Sequence, residues 1–117
     1  MERVKFCDEL IEQTDFSDKK KLKDTASVIL NDMDQQGIHY IDETFEKIAD
    51  NHVIALSQRI LKQEMLKDED NPYDVSQITP EAWQKAQDTA KSVNTDLGIQ
   101  MTGIETFLLS TYFMLNA

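Results

Sequence analysis

Apolar residues recur at spacings of three and four along most of the 117-residue chain, and strict alternation of apolar and polar residues is nowhere sustained. This spacing is typical of one face of an α-helix. Only three Gly and two Pro interrupt the pattern. The sequence therefore predicts an all-α fold.

Signals for helix starts and ends divide the first part of the chain into three helices. The first spans about residues 2–14, with Phe6, Leu10 and Ile11 as its apolar stripe. Ser17 is the expected N-cap of the second helix, which Gly37 ends. The third and longest helix begins near Asp42 and fades in the acidic residues 67–70, before the first proline.

Two further helices are expected after a loop over residues 67–78. We expect the part around Asp68–Asp74 to be mobile because it carries a run of like charges and has few apolar anchors. Thr79 can cap a fourth helix and Pro80 suits its first position, whereas Gly98 ends it. Thr102 and Glu105 have the spacing of a capping box, in which each side chain binds the other residue's amide. They open the fifth helix.

The fifth helix is apolar around most of its circumference. Leu108, Leu109, Tyr112, Phe113 and Leu115 cover more of its surface than a five-helix monomer is expected to bury. The sequence therefore predicts a homodimer.

Composition and charge limit the class of protein. Forty per cent of the residues are apolar and they are spread over the whole chain, which predicts one domain over residues 1–117. The net charge of −10 repels phosphate backbones, so we expect no direct contact with nucleic acid. The chain has neither an apolar run of about 20 residues nor a secretory signal, so we expect no membrane insertion and a cytoplasmic location.

Few residues suggest catalytic chemistry. The single cysteine, Cys7, lies on an apolar helical stripe and is expected to be a small core residue. The sequence has no metal-ligand pattern, no phosphate-binding loop and no nucleophile motif. The acidic groups Asp32/Asp34 and Asp68/Glu69/Asp70 are expected to be solvated. We therefore expect no metal, no cofactor and no enzymatic activity.

His52 is the residue with the clearest chemical potential. On a helix it lies on one face with Arg59, among Phe45, Ile48 and Leu56. A guanidinium near an imidazole can stabilise a phosphoryl group on the ring nitrogen. The alternative is a half-buried histidine that only packs. His39 lies in an expected loop and is interpreted as a surface residue.

Residues 41–59, with Asn51-His52 and with Arg59 seven residues after the histidine, resemble the first signature of the PTS regulation domain (PRD). This domain regulates bacterial transcriptional antiterminators. Residues 71–112, in which Leu97-Gly98 precedes the acidic helix start at Glu105, are similar to its second half. The resemblance covers about residues 22–117 and depends on the order of several short motifs.

The resemblance implies a compact five-helix bundle of PRD type that forms a homodimer. In that family, histidines accept phosphate from the phosphocarrier protein HPr or from a sugar-permease component. His52 matches the phosphorylated histidine and Arg59 the phosphate-stabilising arginine. The second histidine of the pattern falls at Tyr112, a degenerate site, and Asn51 replaces the usual acidic residue before His52.

The resemblance thus implies a stand-alone bacterial regulatory module with one phosphohistidine. It would act on transcription or on an unknown output partner through protein-protein contacts. A helical scaffold or interaction protein that has lost the phosphorelay is the first alternative. An enzyme or small-molecule-binding subunit, suggested only by the apolar last helix, is the second.

Overall fold

The described part of the chain contains five α-helices, in the order α1 (Arg3–Glu12), α2 (Lys19–Gln35), α3 (Glu43–Lys62), α4 (Pro80–Leu97) and α5 (Gly103–Met114). The computed structural model describes residues 3–36 and 43–114, with side chains from residue 7 onward. A short 3-10 turn, Val75–Gln77, lies between α3 and α4. These two ranges contain no strand, so the predicted all-α fold is confirmed.

The helices share one apolar core. α1 packs on α2 and α3, α2 packs on α3 and α4, and α4 packs on α5. All five helices contribute to one cluster of buried side chains, whose largest fully buried apolar members are Leu22, Ile29, Met33, Leu56 and Leu109. The radius of gyration is 13.6 Å, close to the value of about 13 Å for a globular domain of this size.

The ends of α4 match the sequence signals. The Oγ1 of Thr79 accepts a hydrogen bond from the amide of Ala82 at 3.2 Å, and Pro80 occupies the first position of the helix. Gly98 follows the last turn with φ of 68°, and its amide donates to the carbonyl of Asn94. A left-handed residue at this position favours glycine because a Cβ would be strained there. The predicted start and end of α4 are confirmed.

The start of α2 differs by one residue from the prediction. Asp18, rather than Ser17, caps the helix, and its Oδ1 accepts from the amide of Lys21 at 3.1 Å. Both residue types are good N-caps, so the sequence alone did not choose between neighbours. The predicted helix end at Gly37 and helix start at Asp42 lie outside the described residues.

α3 ends earlier than its apolar pattern predicts, at Lys62. Gln63 adopts a left-handed φ of 58°. Its amide donates to the carbonyl of Ile60, and the amide of Glu64 donates to the carbonyl of Arg59 at 2.8 Å. This pair of hydrogen bonds is the Schellman motif that usually requires glycine. The stop was missed because glutamine gives no such signal.

The segment between α3 and α4 is attached to the bundle, so the expectation that it has few anchors was wrong. The carboxylate of Asp68 accepts from the amide of Ile104 at 2.7 Å, in the first turn of α5. The ring of Tyr73 lies against Phe107 at 5.1 Å and near Trp83 at 6.5 Å between centroids. A carboxylate at the positive end of a helix is favourable. These contacts fix the start of α5.

α5 is largely covered by the rest of the chain. Leu109 and Phe113 are buried, and Leu108 and Tyr112 are half-buried. Leu115 lies outside the described residues. The circumference of α5 therefore gives less support to a homodimer than the sequence suggested.

None of the helices in the described ranges has the length and hydropathy that crossing a bilayer requires.

Candidate functional site

Helices α3 and α5 meet through four side chains that carry the candidate chemistry. Arg59 contacts Glu105, and His52, two turns earlier on α3, contacts Tyr112. The lower number on α3 pairs with the higher number on α5, so the two helices run antiparallel here. We call His52, Arg59, Glu105 and Tyr112 the α3–α5 seam.

Arg59 and Glu105 form a bidentate ion pair. The Nε of Arg59 donates to Oε2 at 2.7 Å, and Nη2 donates to Oε1 at 2.7 Å. The amide of Leu66 also donates to Oε2, at 3.1 Å. The Glu105 side chain is 0% exposed and that of Arg59 is 25% exposed. A buried carboxylate needs such partners, and two parallel hydrogen bonds to a guanidinium are among the strongest available.

This pairing changes the role predicted for Glu105. Half of the capping box is present, because the Oγ1 of Thr102 accepts from the amide of Glu105 at 3.4 Å. The carboxylate, however, binds Arg59 and the amide of Leu66 instead of returning to the start of its own helix. A charged partner across the seam is stronger than a neutral amide. Glu105 therefore links α3, α5 and the segment between α3 and α4.

His52 is half-buried at the edge of the core, as its sequence position indicates. Its ring centroid lies 5.0 Å from that of Tyr112, with the planes tilted by 48°. Its Nε2 is buried and has no hydrogen-bond partner in the part of the chain that the structure describes. Burial lowers the pKa of His52 from 6.5 and the charge of Arg59 lowers it further, whereas the charge of Glu105 opposes this shift. The imidazole is therefore neutral at pH 7, the form that has a nucleophilic lone pair.

The apolar neighbours predicted for His52 are only partly correct. Leu56 is buried and Phe45 is half-buried, but Ile48 is 48% exposed. The core-facing side of α3 is instead centred on Val53 and Ile60, which are buried. His52 thus borders the core on one side and the surface on the other.

Tyr112, the position where the resemblance places a second histidine, lies directly against His52. Burial raises the pKa of its hydroxyl above 10.0, so the phenol stays neutral. In this structure Tyr112 is a packing partner of the imidazole. His39 lies outside the described residues.

Two carboxylates on α2 and α3 are buried: Asp32, which the sequence predicted to be solvated, and Asp50, for which no role was predicted. Asp50 is fully buried, and Asp32 is 8% exposed with an Oδ2 that has no partner among the described residues. Both lie at helical positions that also continue an apolar face, which was the available signal. Cys7 is buried, as predicted for a core residue.

Among the described residues, no group of three His, Cys, Asp or Glu side chains could hold a metal ion. Comparisons with family models, with curated proteins and with solved structures found no match for this chain. The resemblance to the PTS regulation domain stays a prediction, and function has to be argued from the α3–α5 seam.

Proposed function

We propose that this chain is a regulatory protein-interaction module in which His52 accepts a phosphoryl group. The observation that carries the proposal is the buried Nε2 of His52, which has no partner in the described part of the chain and lies on the same helix face as Arg59. A purely structural histidine usually satisfies its ring nitrogens with hydrogen bonds. An unsatisfied buried polar atom calls for another explanation, and a reactive role is one.

The chemistry suits transfer from a phosphohistidine on another protein. The lone pair of the unprotonated nitrogen of His52 attacks phosphorus, and a new N–P bond forms. The N–P bond of the donor breaks, and its electron pair stays on the donor ring. The donor, protonated on its other nitrogen beforehand, leaves as neutral imidazole, and the ring of His52 takes up the positive charge. No other reactant is required.

Arg59 supports the product of this reaction. It carries a permanent positive charge two turns from His52, and its planar fork suits phosphoryl oxygens. A phosphoryl group on a chain of net charge −10 needs such a local cation. Because Nε2 is buried in the unmodified chain, transfer to this atom requires the seam to rearrange.

The resemblance described above supports the rest of the proposal. The donor is HPr or a permease component of the sugar phosphotransferase system in the bacterial cytoplasm. The output is a protein partner, through which the chain acts on transcription. A second copy of the chain is one partner on this proposal, with the exposed side chains of Ile48 (48%) and Met114 (44%), on the two helices of the seam, as its candidate contacts.

The test is phosphorylation with purified components. Wild-type protein is incubated with phosphoenolpyruvate and the general phosphotransferase proteins of its own bacterium, and the modification is followed by intact mass and acid lability. We expect one acid-labile phosphoryl group, absent from His52→Ala and retained in the control His39→Ala. Wild-type protein that stays unmodified contradicts the proposal.

The second candidate is a helical scaffold without a phosphorelay. The engagement of Arg59 by Glu105 favours it, as does the packing of Tyr112 on His52. On this hypothesis the chain stays unmodified, and His52→Ala acts as a packing variant that costs about 1–3 kcal/mol of stability. The phosphorylation experiment therefore distinguishes the two candidates.

A further inference from the structure

The guanidinium that a phosphoryl group on His52 would need is already occupied by the carboxylate of Glu105. We propose that Glu105 competes with this phosphoryl group for Arg59, so that phosphorylation moves Arg59 from Glu105 to His52 and opens the seam at Glu105. This inference rests on the proposed function. It adds the structural response that turns a modified histidine into a signal.

The two partners of Arg59 are chemically interchangeable. A carboxylate and a phosphoryl group both present two oxygens to the Nε and Nη2 of the guanidinium. The phosphoryl group carries the larger charge, about −1.5 to −2 by analogy with phosphorylated hydroxyl residues. His52 and Arg59 lie two turns apart on one face of α3, and both contact α5, His52 through Tyr112 and Arg59 through Glu105. In keeping with this geometry, the charges of Arg59 and Glu105 both shift the pKa of His52.

When Arg59 turns to the phosphoryl group, Glu105 loses its cation. The side chain of Glu105 is 0% exposed, so water does not replace that partner. A carboxylate left there without a cation is strongly disfavoured. The new anion on His52 also repels it. Glu105 is therefore expected to turn toward solvent and to release the amide of Leu66, which donates to its Oε2.

The opening should be local, since a separate contact holds the start of α5. The Oδ1 of Asp68 accepts from the amide of Ile104 and does not involve Arg59 or Glu105. The Leu66 amide therefore reports the proposed change, and the Ile104 amide is its internal control.

The first experiment measures hydrogen exchange of these two amides by NMR in the wild-type chain, before and after phosphorylation. Phosphoramidate, a small chemical donor, is used beside the protein donor. We expect the Leu66 amide to exchange roughly tenfold faster after modification, as loss of a charge-assisted hydrogen bond implies. The Ile104 amide should exchange as before.

The second experiment frees Arg59 in advance. Glu105→Gln keeps the shape of the side chain and removes its charge, and we expect it to raise the rate of phosphorylation roughly tenfold. Asp68→Asn is the matched control, because it weakens an anchor of the same segment and leaves the partner of Arg59 in place. It should be phosphorylated at the wild-type rate.

The outcomes separate the two proposals. A wild-type chain that is phosphorylated on His52 while the Leu66 amide exchanges as before refutes the competition and leaves the proposed function standing. A chain that resists both donors refutes the proposed function and this inference together. If Glu105→Gln fails to fold, the exchange measurement on the wild-type chain decides.

Discussion

The ion pair between Arg59 and Glu105 should be the most important polar contact for stability that the described residues contain. We consider three variants, Arg59→Met, Glu105→Gln and the double variant. Each removes charge and keeps a side chain of similar length. The two single variants leave different partners behind, and their effects should therefore be unequal.

Arg59→Met leaves the carboxylate of Glu105 0% exposed, with the Leu66 amide as its remaining partner. An uncompensated buried charge costs about 3–5 kcal/mol. Glu105→Gln leaves Arg59, whose side chain is 25% exposed and can turn to water, so the loss is about 1–3 kcal/mol. For a chain of this length 1 kcal/mol is about 4 °C in Tm. Arg59→Met should therefore lower Tm by about 12–20 °C.

The assay is thermal unfolding for Tm and urea unfolding for the free energies, both at pH 7 and followed by circular dichroism, for all four members of the cycle. The double variant should lose less stability than the sum of the single variants, with a coupling energy of about 2 kcal/mol. The surface pair Lys85–Glu81 is the control, because its ions lie 3.2 Å apart but Glu81 is 81% exposed, and its coupling should stay below about 0.5 kcal/mol. Additive effects of Arg59→Met and Glu105→Gln would refute the reasoning.

Three further predictions concern His52, the end of α3 and the segment that follows it. Because the pKa of His52 is lowered by burial and by Arg59, the unfolded chain binds more protons as pH falls through the ordinary value of 6.5. The stability that neutral His52 contributes is therefore complete above that pH and is lost below it. The urea midpoint of the wild-type protein should approach that of His52→Gln as the pH falls from 7.5 to about 5.5. Midpoints that change in parallel with pH would contradict this. Gln63→Gly should raise stability by about 1 kcal/mol in thermal unfolding, since glycine adopts the φ of 58° without strain. Gln58→Gly, in the interior of α3, should lower the stability by about 1 kcal/mol. Equal effects of the two glycine substitutions would contradict the Schellman motif. Tyr73→Ala should speed limited proteolysis between residues 64 and 74 because it removes the contacts with Phe107 and Trp83; rapid cleavage there in the wild-type chain would contradict the observed anchoring.

The parts of the fold that the sequence predicted correctly are determined by neighbouring residues. The cap at Thr79, the first-turn proline and the left-handed Gly98 each act within one helical turn. The end of α3 follows the same geometry, but Gln63 takes the left-handed conformation without the residue type that signals it. The local signal therefore failed at Gln63, which closes the Schellman hydrogen bonds in a conformation that its residue type disfavours.

The candidate site also has one part that the local sequence predicts and one part that depends on tertiary structure. A helical repeat suffices to place His52 and Arg59 on one face of α3. Glu105, the partner of Arg59, lies 46 residues further along the chain. This pairing depends on how α5 crosses α3. The spacing of Thr102 and Glu105 also offered a local role for the carboxylate, which the long-range ion pair overrides. Asp68 was missed for a similar reason, since its partner is an amide of α5.

The attachment of α5 is compatible with the proposed modification of His52, because the two sides of this helix are held by different kinds of contact. On one side α5 packs on α4 through the apolar core. On the other side it meets α3 through Arg59, Glu105, His52 and Tyr112, whose contacts depend on charge and on ring position. A phosphoryl group on His52 would therefore alter the side of α5 that faces α3 and leave its packing on α4 intact. A regulatory modification changes one surface of a protein that stays folded. The different contacts on the two sides of α5 meet this requirement.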